Sequence, residues 1–198
     1  MGIFSISPLN EDPAYTLPML RVERKSPTGE RNSIYLRDSA DIVKYINDSY
    51  PEPAVDIDGP INAAFGELKN KPGPPFSAIV LTVVPDRLAE VSAVYFRATR
   101  KAWLGCSLEE RRHKRIEEGA WTEMEEWANE VRGLLRKKGG PLFLGEKLCL
   151  LDIRFVGLLK WAEVVGKPED YARIMQLGGE EFARFWQAAK PIYCTEQD

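Results

Sequence analysis

The sequence predicts a chain in two parts, a short α/β segment followed by a larger all-helical domain. Three observations carry that expectation. Apolar side chains alternate or cluster in strand fashion over residues 15–22 and 33–37, on either side of the turn-forming Ser26-Pro27-Thr28-Gly29. From Asp38 the apolar period lengthens to that of a helix, after which Pro51-Glu52-Pro53 through Asp58-Gly59-Pro60 is rich in proline, glycine and acidic residues. Beyond residue 61 the helical period dominates, interrupted by Lys71-Pro72-Gly73-Pro74-Pro75, by Gly105, by Gly139-Gly140 and by Gly166 to Pro168. With 198 residues and 44% hydrophobic content, the chain has the length for one large domain or two small ones.

Taken in order, residues 15–37 predict a β-hairpin. The next helix sets Ile42, Val43, Ile46 and Tyr50 on one face, takes Ser39 as its N-cap and stops at Pro51. The proline-rich stretch reads as a linker at 53–60, separating a domain at 1–52 from a helical domain at 61–198. Phe76 to Val84 is β-branched and could form a strand by propensity, but a helix is expected there. Ser107-Leu108-Glu109-Glu110 is a capping box opening a long helix, along which Ala120, Trp121, Met124, Trp127, Ala128, Val131, Leu134 and Leu135 form one apolar stripe. Leu150 to Val165, apolar nearly all round with Trp161 inside it, reads as the helix at the centre of the bundle.

Charge and composition argue against several classes of function. The 27 basic and 30 acidic residues are well mixed, so nothing marks a nucleic-acid footprint. The basic run Arg111-Arg112-His113-Lys114-Arg115 is flanked by Glu109, Glu110, Glu117 and Glu118 and reads as a solvated helix face. Cys106, Cys149 and Cys194 lack paired spacing, which points to a reducing compartment, and no metal-ligand cluster is visible. The single histidine, His113, sits within that charged run, a poor place for the imidazole of a Ser-His-Asp triad. Met1-Gly2-Ile3-Phe4 is no secretory signal, and the greasy run Ala78 to Val84 is far short of the roughly 20 residues of a membrane span. A cytoplasmic protein with neither nucleic-acid nor membrane partner is expected.

Thr16-Leu17-Pro18, Asp38-Ser39, Tyr95-Phe96-Arg97 with Arg100, and Pro141-Leu142-Phe143-Leu144-Gly145-Glu146 with Asp152-Ile153 occur in an order that resembles a cytosolic glutathione transferase. Pro18 stands where that family has a cis-proline, and Asp38-Ser39 matches its acidic–Ser pair at a helix N-terminus. The two downstream motifs resemble, in turn, a fungal and bacterial subgroup that includes natural-product tailoring enzymes, and the family's folding motif. The resemblance implies a truncated thioredoxin-like domain followed by the family's all-helical domain, with glutathione as cofactor and homodimeric assembly. It implies glutathione contacts at Leu17, Pro18, Asp38 and Ser39, and acceptor contacts at Tyr95, Arg97, Arg100 and Trp103. The implied chemistry is attack of the glutathione thiolate on a hydrophobic, electrophilic, unsaturated small molecule. The outcome is transfer or, after rotation and release of glutathione, cis–trans isomerisation in secondary-metabolite biosynthesis. The alternative is a non-catalytic ligand-binding or scaffold protein of the same fold.

Physical chemistry supports a site at residues 15–50 and also offers plainer roles. A hydroxyl and free N–H groups at a helix N-terminus suit a carboxylate, with the helix dipole adding about 0.3 to 1 kcal/mol. Pro18 equally suits a trans proline on an edge strand, and Ser39 an ordinary cap. Two departures from the family pattern stand out. Cys149 occupies the position of a Ser or Thr cap and, as a weak acceptor, is expected to cap less well by about 1 kcal/mol. Only fourteen residues precede Tyr15, whereas the family's strand-helix-strand unit needs about 30. The thiol-activating residue is therefore unknown, and neither Ser5 nor Ser7 is assigned that role.

Overall fold

Leu20, Val22, Ile34 and Leu36 alternate with polar residues, and this period of two builds the hairpin that the sequence predicts. In the computed structural model, which describes residues 18–25, 29, 31–64 and 75–193, strands β1 (Leu20–Lys25) and β2 (Arg31–Leu36) pair antiparallel. Leu20 faces Leu36 and Val22 faces Ile34. Both strands begin and end elsewhere than expected. Pro18 and Met19 lie outside the ladder, and Arg31 and Asn32 lie inside it. All of β2 but Leu36 is exposed, so apolar content does not mark where pairing starts. Tyr15, Thr16, Leu17, Ser26, Pro27 and Thr28 fall outside the described residues.

Helix α1 (Ser39–Ser49) begins one residue earlier in capping terms than expected. Asp38, extended at φ −86° and ψ 137°, is the N-cap, and its Oδ1 accepts the Ala40 N–H at 2.7 Å. Ser39 is already helical and is not the cap. A carboxylate fills the capping role as well as a hydroxyl and adds a favourable charge at the positive end of the helix. The apolar face of α1 is only partly covered, with Ile42 buried while Ile46 and Tyr50 are exposed. On the same helix, hydrogen bonds from Ser49 and then Arg24 hold the Tyr45 phenol below its usual range, linking β1 to α1.

The chain divides into two compact units, Met1–Ile57 and Asp58–Asp198. In the second, residues 60–64 are helical, and Asn62 Oδ1 accepts the Leu151 N–H at 2.9 Å. Its further elements are α2 (Pro75–Ile79), a 3-10 segment (Leu81–Arg87), α3 (Glu90–Leu104), α4 (Leu108–Glu117), α5 (Ala120–Arg136), α6 (Leu150–Val165), α7 (Pro168–Ala188) and α8 (Lys190–Tyr193). Phe76 to Val84 is helical as expected, in α2 up to Ile79 and in the 3-10 segment from Leu81. The long helix predicted from Ser107 is instead two. The capping box forms, with Glu110 N–H donating to Ser107 Oγ and Ser107 N–H to Glu110, but Gly119 at φ +103° ends that helix and starts another. Glycine reaches this left-handed geometry without a Cβ penalty. The apolar stripe belongs to α5 alone.

The basic run is not simply a solvated face. His113 and Lys114 are exposed, but Arg112 turns inward to donate to the Ile79 carbonyl and to Asp170 at 2.6 Å, tying α4 to α2 and α7. Arg115 reaches past the break to Glu123 at 2.6 Å. The core gathers around Phe155 of α6, whose ring packs against Trp127, Phe143, Phe182 and Phe185 at centroid distances of 6.0, 5.6, 5.0 and 4.8 Å. Leu151, Leu159 and Ala162 share that buried face, whereas Ile153 and Val164 are exposed, so α6 is central on one side only. Across α5 and α7, Glu181 is buried and accepts from Arg132 at 3.0 Å and Arg136 at 2.6 Å. These arginines, Arg136 foremost, hold its carboxyl down at about 2. No helix among the described residues is long and apolar enough to cross a membrane.

Candidate functional site

Antiparallel pairing brings Pro18 and Asp38-Ser39 to one end of the hairpin. The chain enters β1 two residues after Pro18, and β2 leaves through Arg37 into the Asp38 cap. Leu20 lies opposite Leu36, so Pro18 and Asp38 flank the same end of the ladder. Pro18, Asp38 and Ser39 are all exposed, while Leu17 lies outside the described residues. Asp38 keeps one N–H of the first turn for itself, and Asp41 adds a second carboxylate there. A simple anion meets that negative charge. A zwitterion with an ammonium for Asp38 and a carboxylate for Ser39 and the remaining N–H groups fits better.

The candidate acceptor residues all lie on α3, a helix with no buried residue. They divide by their charge environment. Arg97 is neutralised by Asp86 at 3.0 Å and by Glu109. The Arg100 guanidinium lies over the Phe96 ring at 4.7 Å and the Trp103 ring at 5.9 Å. Tyr95 and Trp103 are each 72% exposed, and Val91 and Val94 extend the same helix's open apolar surface. Sequence periodicity marked α3 as helix but could not show which arginine is tied to carboxylates, since Asp86 and Glu109 come from neighbouring segments.

The first turn of α6 carries a tightly bonded carboxylate. Asp152, fully buried, accepts the Phe143 N–H at 3.0 Å, the Cys149 N–H at 2.8 Å and the Cys149 Sγ–H at 3.0 Å. The Cys149 thiol thus contributes at this position as a donor to Asp152, in keeping with its being a weak capping acceptor. Burial, reinforced by the Asp152 oxygen, pushes that thiol up to about 12, so it keeps its proton at neutral pH. Gly140 permits the loop before α6 to close, since a Cβ there would lie 2.4 Å from the Gly145 backbone. Asp152 and its donors orient the chain entering α6 and offer no free group for catalysis.

One polar atom stands outside these networks. Arg37 Nη1 is buried without a hydrogen-bond partner, beside the Asp38-Ser39 pair. No sequence pattern marks it, because burial of a single guanidinium nitrogen is a tertiary property. Among the described residues there is no group of three or more His, Cys, Asp or Glu side chains arranged to hold a metal ion.

Residues 61–193 match the family described as glutathione S-transferase, C-terminal domain. The chain belongs to that family. Its fold resembles glutathione transferase GSTFuA2 from Phanerochaete chrysosporium, with a TM-score of 0.69 and 25% identity over 94% of this chain and 77% of that one. GSTFuA3 of the same fungus gives 0.69 and 25% over 87% and 76%. A glutathione S-transferase of Ceriporiopsis subvermispora, solved in complex with glutathione, shares the fold at a TM-score of 0.67 and 24% identity over 97% and 78%. No curated protein matches the sequence. The glutathione transferase fold accounts for the hairpin with α1 and for the helical unit built on α5, α6 and α7.

Proposed function

We propose that this glutathione-transferase-family chain is an enzyme that uses glutathione on an electrophilic, unsaturated small molecule. In this reading residues 1–52 bind glutathione, through Leu17, Pro18, Asp38 and Ser39, and residues 61–198 hold the acceptor. The observation that carries it is the exposed Asp38-Ser39 pair at the start of α1, on the same end of the hairpin as Pro18. That pair presents a carboxylate, a hydroxyl and free N–H groups to the amino-acid end of the γ-glutamyl moiety.

The thiolate adds to the β-carbon of an activated double bond, and the electron pair of that bond moves onto the activating carbonyl as an enolate. A cation stabilises that charge as it forms. Arg100 suits the role better than Arg97, which two carboxylates already neutralise. Tyr95 and Trp103 offer the acceptor an aromatic surface. Protonation of the α-carbon gives the adduct, a transferase outcome. Rotation about the new single bond and expulsion of the thiolate gives the cis–trans isomer and returns glutathione unchanged. Support for a secondary-metabolite substrate and for a homodimer rests on the subgroup and family resemblances.

The test is the thermal midpoint against glutathione concentration, for the wild type and Ser39→Ala, followed by turnover of generic electrophiles with glutathione counted. A ligand at 100 times its Kd adds about 2.7 kcal/mol to stability. A rise in the wild type that Ser39→Ala removes supports the site. Binding without turnover of any electrophile favours the scaffold reading, and no response in either protein rejects glutathione as the ligand.

A further inference from the structure

Helix α3 carries the cations Arg97, Arg100 and Lys101 against a single acidic residue, Glu90. Two of these cations meet carboxylates from other segments. Arg97 pairs with Asp86 and Glu109, and Lys101 lies within electrostatic reach of Glu110. Arg100 pairs with no carboxylate among the described residues and meets two aromatic rings instead. Phe96, Arg97, Trp103 and Leu104 stand three and four residues from it, so α3 itself supplies no carboxylate neighbour.

The rings are Phe96 at 4.7 Å and Trp103 at 5.9 Å from the guanidinium carbon. Spacings of four and three residues set the three side chains on one helix face. A ring face attracts a cation through its quadrupole and supplies no counter-charge. The guanidinium is therefore held in place while its positive charge stays uncompensated. Phe96 and Arg100 are partly exposed, and Trp103 is open to solvent. This face offers an apolar aromatic surface beside a planar cation, and a flat molecule that bears an anion complements both.

We infer that the acceptor is acidic, an unsaturated ketone with a carboxylate beside its activating carbonyl, that Arg100 binds this carboxylate, and that Phe96 is a positioning residue for the guanidinium. This rests on the reading of α3 as the acceptor surface given above. The fork of a guanidinium spans two neighbouring oxygens. Set against the carboxylate and the ketone oxygen, it binds the substrate through the first and meets the enolate charge on the second as that charge forms. One cation then serves both purposes, whereas a neutral acceptor uses only the second.

The experiment has a binding arm and a turnover arm, both on the full chain. Benzylpyruvate and its methyl ester, which lack the double bond, are titrated calorimetrically without glutathione. Addition of glutathione to benzylidenepyruvate and to its methyl ester is then compared with the uncatalysed reaction. The proteins are the wild type, Arg100→Gln, Arg100→Lys and Phe96→Leu, each checked for fold by circular dichroism. The wild type is expected to bind benzylpyruvate about tenfold or more tightly than the ester. Arg100→Gln should abolish that preference, and Arg100→Lys, which keeps the charge and loses the fork, should retain part of it. Phe96→Leu should narrow the preference and leave ester affinity unchanged, whereas a merely structural Phe96 would lower both affinities together. Should Arg100→Gln fail to fold, Arg100→Lys and the loss of the wild-type preference in added salt make the same comparison. Equal affinity of the wild type for acid and ester overturns the inference, as does failure to bind the acid or a preference that survives in Arg100→Gln. If acid and ester are turned over with equal enhancement, the enzyme stands and the acidic acceptor falls. If the acid is preferred in binding but neither compound is turned over, the Arg100 site stands and the enzyme reading falls.

Discussion

Phe155 and Tyr35 mark the contrast between the two units. In the helical unit Phe155 is fully buried among Trp127, Phe143, Phe182 and Phe185. In the N-terminal unit Tyr35, Ile34, Ile46 and Tyr50 are exposed, and Ile42 is the buried apolar side chain among the described residues. Aromatic side chains stabilise a fold when they meet one another away from water, each burying about 150 to 250 Å². A two-stranded hairpin is marginal on its own. Among the described residues the buried apolar core therefore lies in the helical unit, which is the part that matches the family. The N-terminal unit carries open polar groups at the hairpin end.

The contrast breaks if a substitution in the hairpin costs as much as one in the helical core. Phe155→Ala is expected to destabilise by about 3–5 kcal/mol in urea unfolding, against roughly 0.5 kcal/mol or less for Tyr35→Ala. Comparable midpoint shifts for the two would show that the hairpin is more than an exposed appendage.

The next largest effect is a pH dependence that belongs to the helical unit. Glu181 has an ordinary value of 4.5, which Arg136 and Arg132 lower to about 2 in the folded chain. Because the folded value is the lower one, this contribution is complete above pH 4.5 and is lost as pH falls toward 2. Linkage over that window is worth at most about 3 kcal/mol. Glu181→Gln should be less stable at pH 7 and should show a flatter stability profile between those limits. A wild-type profile no steeper than that of the variant would remove the buried ion cluster from the account.

The smallest effect sharpens the contrast within the N-terminal unit. Asp38→Ala removes the α1 cap and should cost about 1 kcal/mol. By hydrogen exchange the loss should appear in α1 amides and leave α6 unchanged. Equal loosening of α6 would mean that the two units unfold together.

Local patterns were legible because local residues cause them. The β-hairpin follows from alternation and a turn sequence, the capping box from Ser107 and Glu110 three residues apart, and α6 from a run of apolar residues. The departures also have physical causes. Asp38 rather than Ser39 caps α1, since both types cap well and only the backbone angle distinguishes them. A helical period runs across Gly119, but one left-handed glycine splits it. Of the candidate site, Asp38-Ser39 could be read as a motif. The pairing of Arg97 with Asp86 and Glu109 could not, because its partners come from separate segments.

By itself the sequence determined the two-part organisation, the helical character of the larger part and the residues that resemble a glutathione transferase. These depend on periodicity, breakers and short motifs, all of which act over a few neighbouring residues. The tertiary structure alone decided which charges pair across segments, as Arg97 does with Asp86 and Glu109, and that Arg37 keeps a buried nitrogen without a partner. Those outcomes depend on what approaches from distant segments and on the exclusion of water, which changes the cost of a polar group from negligible to decisive.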